Sequence, residues 1–372
     1  MTKKINFFNV LRFLIVFLFL LFKYIEMWSF LFNDNFYKSK AIIFILIGIS
    51  VILCLRIKLP RKLLKKIVFL GFLSLLMTIL SRTIDFMVSF IFSVLYCTVD
   101  NGDKSFLKHF LISASTLFVL TILLSVLGIL PQITSVRYSN GIYISRNNLG
   151  FYGANSLFLC LYPIIISYIV LNFKVKKNKD IIITLCITIF SIIFYKYTNC
   201  RAGIVCVLFI LVLSNFDKVL DNNSFKKFMK YYFMIFFIIS LLLTVKFGTT
   251  TDNVISTLSS GRTYYWNYYV KNVGSSMTGT EPIKGYPLDN IYLYNFYING
   301  IICFVCYFII TLLSAKEMVR SKKLLFILVA FAIYGFFENN SAFHINFMLT
   351  IQLLYIIKNN CSTSLIDKEQ NI

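Results

Sequence analysis

The sequence predicts an all-α integral membrane protein, a polytopic bundle of about twelve transmembrane helices that forms a single domain over residues 1–372. Of its residues, 58% are hydrophobic and only 14% are charged, and its mean hydropathy is +0.79. No soluble globular domain has this composition. Apolar stretches, each near the roughly 20 residues that one helical span requires, follow one another along almost the entire chain.

These apolar stretches define the elements in order. Their cores are residues 5–22, 41–55, 67–80, 84–99, 108–130, 149–173, 181–197, 203–216, 231–247, 290–313, 324–338 and 343–357. Those starting at 67, 84, 203 and 343 are short, which leaves a count of ten or eleven open. The first core is not expected to be a cleaved signal, because Lys23-Tyr24-Ile25-Glu26-Met27 follows it where a cleavage site needs small residues.

Lysines and arginines divide unevenly between the two sides of this bundle. If the N-terminus is cytoplasmic, the inner loops hold about twice as many lysines and arginines as the outer loops. Lys23 and Arg262 are then expected in outer loops. Both termini are then cytoplasmic, and the longest polar interruption, residues 248–289 between spans 9 and 10, is an extracytoplasmic loop. The net charge of +22 is therefore a topology signal, and we expect no nucleic-acid partner.

Arginines are distributed between the two sides differently from lysines. Most loop arginines fall on the predicted outer side, namely Arg82, Arg137, Arg146, Arg201 and Arg262. The planar guanidinium binds phosphate through two parallel hydrogen bonds. This distribution indicates a phosphate-bearing ligand on the outer face.

The cysteines indicate neither a metal site nor a redox site. Most of the nine lie inside predicted spans, where a thiol behaves as a small hydrophobe. Cys303 and Cys306 form a CxxC, but no second pair or histidine accompanies them. We predict no metal and no cofactor.

Two short polar stretches at span boundaries carry outer arginines. Ser145–Gly150 precedes the sixth span and contains Arg146 and Asn147; a helix N-terminus with an arginine would bind phosphate, and the alternative is an interfacial arginine with a helix cap. Thr198–Gly203 separates spans 7 and 8 so briefly that they must turn sharply. We expect Gly203 to permit that turn and Arg201 to be held there, the alternative being a snorkelling anchor.

The long loop contributes two further stretches. Ser260–Tyr269 contains Arg262, Tyr265 and Trp266. The aromatic rings suit stacking on sugars, and the alternative is a helix lying at the membrane interface. Gly285–Tyr292 leads into the tenth span. In it Asp289 is placed to act as a general base, and the alternative is that Asp289 caps the following helix.

A last polar patch, Glu338–Asn346, lies between the two final spans and contains His344. Ionisable groups at the ends of apolar segments are often functional. A polar turn between two helices would have the same composition. Both interpretations stay open.

The order of these motifs resembles the Wzy-type polysaccharide repeat-unit polymerases and the related O-antigen ligases. The resemblance covers roughly residues 140–310 and rests on four motifs: Arg146-Asn147-Asn148 with Gly150, Cys200-Arg201-Ala202-Gly203, Ser260-Gly261-Arg262 with Trp266, and Gly285 with Asp289-Asn290-Ile291-Tyr292. It implies a GT-C-like, inverting, metal-independent glycosyltransferase. Such an enzyme elongates undecaprenyl-diphosphate-linked oligosaccharide on the outer face of the cytoplasmic membrane during capsule or O-antigen synthesis. A flippase and a chain-length regulator are further candidate partners.

The resemblance also implies roles for individual residues. Arg146, Arg201 and Arg262 would hold the donor diphosphate. Substrate-binding residues would be Asn147, Asn290, Tyr292, Tyr265 and Trp266. Many relatives have a His-Asn pair where this chain has Asp289-Asn290, so the base could be Asp289 or His344, or leaving-group departure could dominate.

Two other functions stay open at this point. A flippase for the same lipid-linked oligosaccharide would suit twelve spans, with Asp85 and Glu338 as candidates for ion coupling, although no internal repeat is visible. A glycan ligase would use the same outer site with a different acceptor.

Overall fold

A computed structural model describes residues 7–28, 61–99, 106–132, 134–139, 142–151, 153–172, 177–215, 217–249, 261–283, 285–338 and 347–358. The predicted second core, 41–55, and His344 lie outside the described residues. Within them the chain is mainly helical. We number its helices α1 Phe7–Met27, α2 Arg61–Ser81, α3 Asp85–Val99, α4 Phe106–Val126, α5 Ala154–Leu171, α6 Lys177–Thr198, α7 Arg201–Asn215, α8 Asn223–Lys230, α9 Tyr232–Phe247, α10 Arg262–Tyr268, α11 Ile291–Tyr297, α12 Ile301–Met318, α13 Lys322–Phe337 and α14 Phe347–Lys358.

Every predicted core within the described residues overlaps one of these helices, whereas α8 and α10 lie outside the predicted cores. Among the described residues, five helical segments are long and apolar enough to cross a membrane: Leu63–Ser81, Phe106–Val126, Ala154–Leu171, Ile181–Thr198 and Ile301–Met318. Helices α8 and α9 add a sixth if they count as one span, although they meet at 75°. By these criteria the chain is a helical membrane protein.

A two-stranded antiparallel hairpin departs from the all-α prediction. It consists of β1 (Thr134–Ser139) and β2 (Ile142–Asn147), with Ser139 paired to Ile142. The sequence carries the signal for it, since Asn140-Gly141 is the dipeptide that two-residue hairpin loops favour and β-branched or aromatic residues flank it. The pattern is short and stands between two long apolar cores, so hydropathy alone misses it.

The predicted tenth span is not one helix. It divides into α11 and α12 at Gly300, whose φ is 90°. Loop residues bind the backbone groups freed by this break: Ile301 N–H donates to the Ser276 carbonyl at 2.9 Å, and Thr280 N–H donates to the Ile298 carbonyl at 3.0 Å. The break therefore ties the long loop to the helical bundle.

Helix α13 is the axis of the bundle. It packs against α5, α7, α9, α11 and α12, and most of its side chains are buried. Two tyrosine hydroxyls donate to its carbonyls, Tyr162 to Ala330 at 2.8 Å and Tyr292 to Ala332 at 2.6 Å. Since polar groups away from water need partners, these bonds fix the position of α13, whose chain continues directly into Glu338.

The turn between α6 and α7 is as sharp as predicted, but Gly203 does not form it. Only Asn199 and Cys200 separate the two helices, and Asn199 takes the left-handed conformation at φ 48°. Gly203 lies within α7, where a Cβ would stand 2.3 Å from Cγ of Phe158. This glycine therefore permits the close packing of α7 on α5 rather than the turn.

A buried ion pair joins α1 to α3. Lys23 Nζ lies 2.5 Å from Asp85 Oδ1, and their side chains are 2% and 12% exposed. The expectation that Lys23 belongs to an outer loop is wrong, because α1 continues to Met27 and takes this lysine into the packed bundle. Two desolvated charges of opposite sign each become costly when the other is removed.

The Lys23–Asp85 pair predicts a non-additive stability effect. Asp85→Leu removes the carboxylate that lies 2.5 Å from the buried Lys23 ammonium and should cost about 3–5 kcal/mol. The double variant Lys23→Met/Asp85→Leu should recover most of that loss. Thermal unfolding in detergent measures both. Arg82→Ala is the control, because the Arg82–Glu281 pair is largely exposed and should be worth no more than about 1 kcal/mol. Equal losses in the single and double variants would contradict the prediction.

Candidate functional site

Arg262 is the first residue of α10 and forms two ion pairs. Its Nη2 lies 2.7 Å from Oε1 of Glu338, and its Nε lies 3.4 Å from Oδ2 of Asp289. The preceding Gly261 has φ 79°, a left-handed conformation that glycine adopts without strain and from which the helix starts. The Arg262 side chain is 15% exposed. A guanidinium is thus held between two carboxylates at the surface of the bundle.

Glu338 directly follows the last turn of α13, and its side chain is 2% exposed. Both of its oxygens also face Nδ2 of Asn155, at 3.4 and 3.5 Å. Asn155 lies in the first turn of α5. The end of the central helix is therefore linked to α10 on one side and to α5 on the other.

A second arginine joins through the same asparagine. Arg146 donates from Nη2 to Oδ1 of Asn155 and from Nε to the Thr198 carbonyl, the latter at 2.7 Å. The expectation that Arg146 stands at a helix N-terminus is wrong, because it belongs to strand β2 and α5 begins only at Ala154. The hairpin, rather than a helix end, carries this arginine to Asn155.

We call Arg146, Asn155, Arg262, Asp289 and Glu338 the arginine cluster. Its members come from strand β2, the start of α5, the start of α10, the segment before α11 and the end of α13. Of these elements, only β2 and α5 are joined by a short connection. The cluster is therefore a product of the tertiary fold.

Electrostatics distinguish the two carboxylates of the cluster. Burial raises the pKa of Glu338 from 4.5 to about 7; the charge of Asp289 adds to this rise, and the charges of Arg262 and Arg146 oppose it. Burial disfavours the charge of Arg262, but the charges of Glu338 and Asp289 outweigh burial and hold its pKa above the ordinary value. Arg262 is thus always charged, whereas Glu338 changes its charge near neutral pH.

Asp289 is the accessible carboxylate. Its side chain is 32% exposed. The alternative that it caps α11 is wrong: the N-cap is Asn290, whose Oδ1 accepts from the N–H groups of Tyr292 and Leu293. Because capping does not occupy Asp289, its free oxygen can accept a proton from a bound hydroxyl.

The structure gives Asn290, Tyr292 and Trp266 packing roles. Asn290 is fully buried and its amide also donates to Ser240 and to the Phe336 carbonyl. Tyr292 and Trp266 are 1% and 2% exposed. Direct contact of these three residues with a substrate stays a prediction.

The remaining predicted residues lie around the cluster. Tyr265 is half-buried and meets the ring of Tyr286 edge-on. Arg201 is half-buried at the start of α7, three residues after the Thr198 carbonyl that Arg146 binds. Asn147 points to the other side of its strand, where its amide donates to Gln132. His344 is outside the described residues.

Two members of the cluster, Glu338 and Asn155, were not assigned to the phosphate site from the sequence. Glu338 was expected only in the last polar patch, whose role stayed open, and as a candidate for ion coupling in a flippase. Glu338 had a usable signal, since it is one of only 15 acidic residues and stands at the end of an apolar segment. Asn155 had none, because a single asparagine near a helix start is ordinary. Only the fold shows that these two residues meet.

Nearby groups restrict the chemistry that is available. Burial raises the pKa of the Cys200 thiol to about 12, so this thiol stays protonated and is a poor nucleophile. Among the described residues, no group of three or more His, Cys, Asp or Glu side chains could hold a metal ion. The cluster itself offers two guanidinium groups for an anion and one exposed carboxylate for a proton.

Comparisons with protein-family models, with curated proteins and with solved structures found no match.

The raised pKa of Glu338 predicts how stability depends on pH. The folded state binds its proton more tightly than the unfolded chain, so this contribution is fully present below about pH 4.5 and is lost as the pH rises through about 7. It amounts to at most about 3 kcal/mol. The gap in melting temperature between wild type and Glu338→Gln should change across this window and be constant above it. Glu281→Gln, whose side chain is 82% exposed, is the control, and a pH-independent gap for Glu338→Gln would refute the prediction.

Proposed function

We propose that this protein polymerises undecaprenyl-diphosphate-linked oligosaccharide repeat units on the outer face of the cytoplasmic membrane. The observation that carries the proposal is the arginine cluster, in which Arg262 binds the buried Glu338 directly and Arg146, from a distant part of the chain, is linked to it through Asn155. Short motifs that resemble those of Wzy-type polymerases supply both arginines. We further propose the finer architecture that the resemblance implies, a GT-C-like bundle of about twelve spans with both termini cytoplasmic.

The arginines suit a diphosphate because guanidinium groups offer paired donors and keep their charge. In the site as we propose it, Arg262 and Arg146 bind the donor diphosphate and stabilise the negative charge that grows on it as the glycosidic bond breaks. Arg201 at the neighbouring helix start is the third arginine of this group.

An apolar groove beside the cluster suits a polyprenyl tail. It has a volume of about 590 Å³ and lies between α4, α5 and α6. Phe194 lines it, and the carbonyl of Phe194 accepts from the hydroxyl of Thr198, the same residue whose own carbonyl binds Arg146. A lipid tail in this groove would therefore end about one helical turn from an arginine.

The proposed reaction is an inverting glycosyl transfer. A hydroxyl of the incoming lipid-linked repeat attacks the anomeric carbon of the growing glycan, the bond from that carbon to the diphosphate oxygen breaks, and undecaprenyl diphosphate leaves. Asp289 takes the proton of the attacking hydroxyl. Tyr265, half-buried beside Tyr286, offers a ring face on which a sugar can stack.

A flippase is the second candidate, favoured by the buried Lys23–Asp85 ion pair, since buried charges in membrane helices are common in ion-coupled transport. The two functions differ in where substrate accumulates. Depletion of a flippase traps lipid-linked repeats on the inner face of the membrane, whereas depletion of a polymerase leaves single repeats on the outer face. A ligase would use the same site and differ only in its acceptor.

The proposal predicts the behaviour of three arginine variants. Purified protein is incubated with lipid-diphosphate repeat units, and product length is measured on gels. Arg262→Ala and Arg146→Ala should each lower the rate of chain extension by at least about a hundredfold, because each removes a donor to the leaving group. Arg262→Lys should recover little, since an ammonium group lacks the paired donors.

Arg82→Ala is the matched control, because Arg82 also lies at the cluster's end of the bundle but pairs with Glu281 in solvent. Its product length should equal that of wild type. Unaltered chain length in properly inserted Arg262→Ala protein would refute the polymerase assignment.

A further inference from the structure

Glu338 is linked to both arginines of the cluster, to Arg262 directly and to Arg146 through Asn155. Its Oε1 accepts from Arg262 Nη2 at 2.7 Å, and Asn155 faces both of its oxygens while accepting from Arg146. With 2% of its side chain exposed, Glu338 cannot reach an acceptor sugar. We propose that Glu338 is the positioning residue of the site, an internal counter-anion that holds Arg262 and Arg146 in place and takes up a proton when a diphosphate binds to them. This inference rests on the proposed function.

The charges of the cluster give the reason for proton uptake. With Arg146, Arg262, Asp289 and Glu338 all ionised, their charges cancel, and a neutral cluster attracts a dianion weakly. A proton on Glu338 leaves the cluster with one net positive charge. The proton comes from bulk water and goes to a carboxylate oxygen of Glu338, and no other bond forms or breaks in this step.

The surroundings of Glu338 favour its neutral form. It follows the C-terminus of α13, where the helix dipole is unfavourable for a negative charge. The ionisable groups that face it from the described elements are Arg262 of α10, Asp289 before α11, Arg146 of β2, Cys200 between α6 and α7, Cys206 of α7 and Tyr334 of α13. Thiols and phenols are ordinarily neutral at pH 7, so the two arginines are the charges that hold Glu338 ionised.

A diphosphate bound to those arginines changes the balance. It competes with Glu338 for the Arg262 donor and adds negative charge beside the carboxylate, and both effects favour protonation of the carboxylate. Because the pKa of Glu338 is already raised to about 7, a modest further rise is enough to bind a proton at neutral pH.

The first experiment follows the ionisation of Glu338 directly. Infrared difference spectroscopy of the purified protein detects the carbonyl stretch of a protonated carboxylic acid. We expect such a band to appear as the pH falls through about 7, to be absent in Glu338→Gln, and to persist in Asp289→Asn. At constant pH 7.5, sulfate or a short-chain prenyl-diphosphoryl-N-acetylglucosamine should increase the band in wild type.

The second experiment measures affinity. Both phosphates of the prenyl-diphosphoryl sugar are esterified, so its charge stays constant between pH 6 and 9. Its Kd for wild type should rise by up to about tenfold per pH unit above pH 7.5, the limit for one linked proton. For Glu338→Gln the Kd should be nearly independent of pH and lower than that of wild type at pH 8.5. A merely structural glutamate would not give tighter binding when replaced.

The outcomes separate this inference from the proposed function. If neither anion increases the carboxylic acid band, or if Glu338→Gln keeps the wild-type pH dependence of Kd, the inference is overturned. If sulfate increases the band but the prenyl-diphosphoryl sugar does not bind, the role of Glu338 stands and the proposed function fails.

Discussion

The ion pair between Arg262 and Glu338 is the contact on which the candidate site depends. It joins the end of the central helix α13 to the first residue of α10, across 76 residues of sequence. Ionised Glu338 carries a desolvation cost that one arginine does not fully offset, as the rise of its pKa to about 7 indicates. The pair persists because Asn155 and Arg146 complete the surroundings of the carboxylate, so four elements are held at one point.

Hydrogen bonds and close backbone packing hold the long loop beside the Arg262–Glu338 pair. Asn267 donates to the Gly248 carbonyl at 2.8 Å and so ties α10 to the end of α9. At the other end of the loop, Gly279 and Gly300 pack so closely that a Cβ on Gly279 would stand 2.0 Å from the Ile298 carbonyl oxygen. Arg262 and Asp289 therefore lie on a loop whose two ends are both fixed, which is how a site outside the helices keeps a defined geometry.

The candidate site could be predicted in part. The sequence indicated Arg146, Arg262 and Asp289, because most loop arginines fall on the predicted outer side and acidic residues are few there. It left the role of Glu338 open, between a polar turn, a functional patch and ion coupling, and it gave no role to Asn155. It left open whether Asp289 caps α11, and the cap is Asn290 instead, because either residue type caps a helix and the sequence does not show which one precedes the first helical residue. Tyr292 and Trp266 looked available for substrate but are buried, since the sequence does not show which face of an aromatic segment meets the bundle.

By itself the sequence determined the membrane class and the approximate position of most described helices, because the cost of placing a polar backbone or a charge in hydrocarbon leaves long apolar helices as the main solution. It also carried, in Asn140-Gly141, the signal for the hairpin. The tertiary structure decided which polar groups meet: that Arg146 reaches Asn155 from a strand, that Lys23 turns inward to Asp85, and that Glu338 lies between two arginines. Hydropathy is a property of single segments, whereas these contacts depend on how segments distant in sequence pack together.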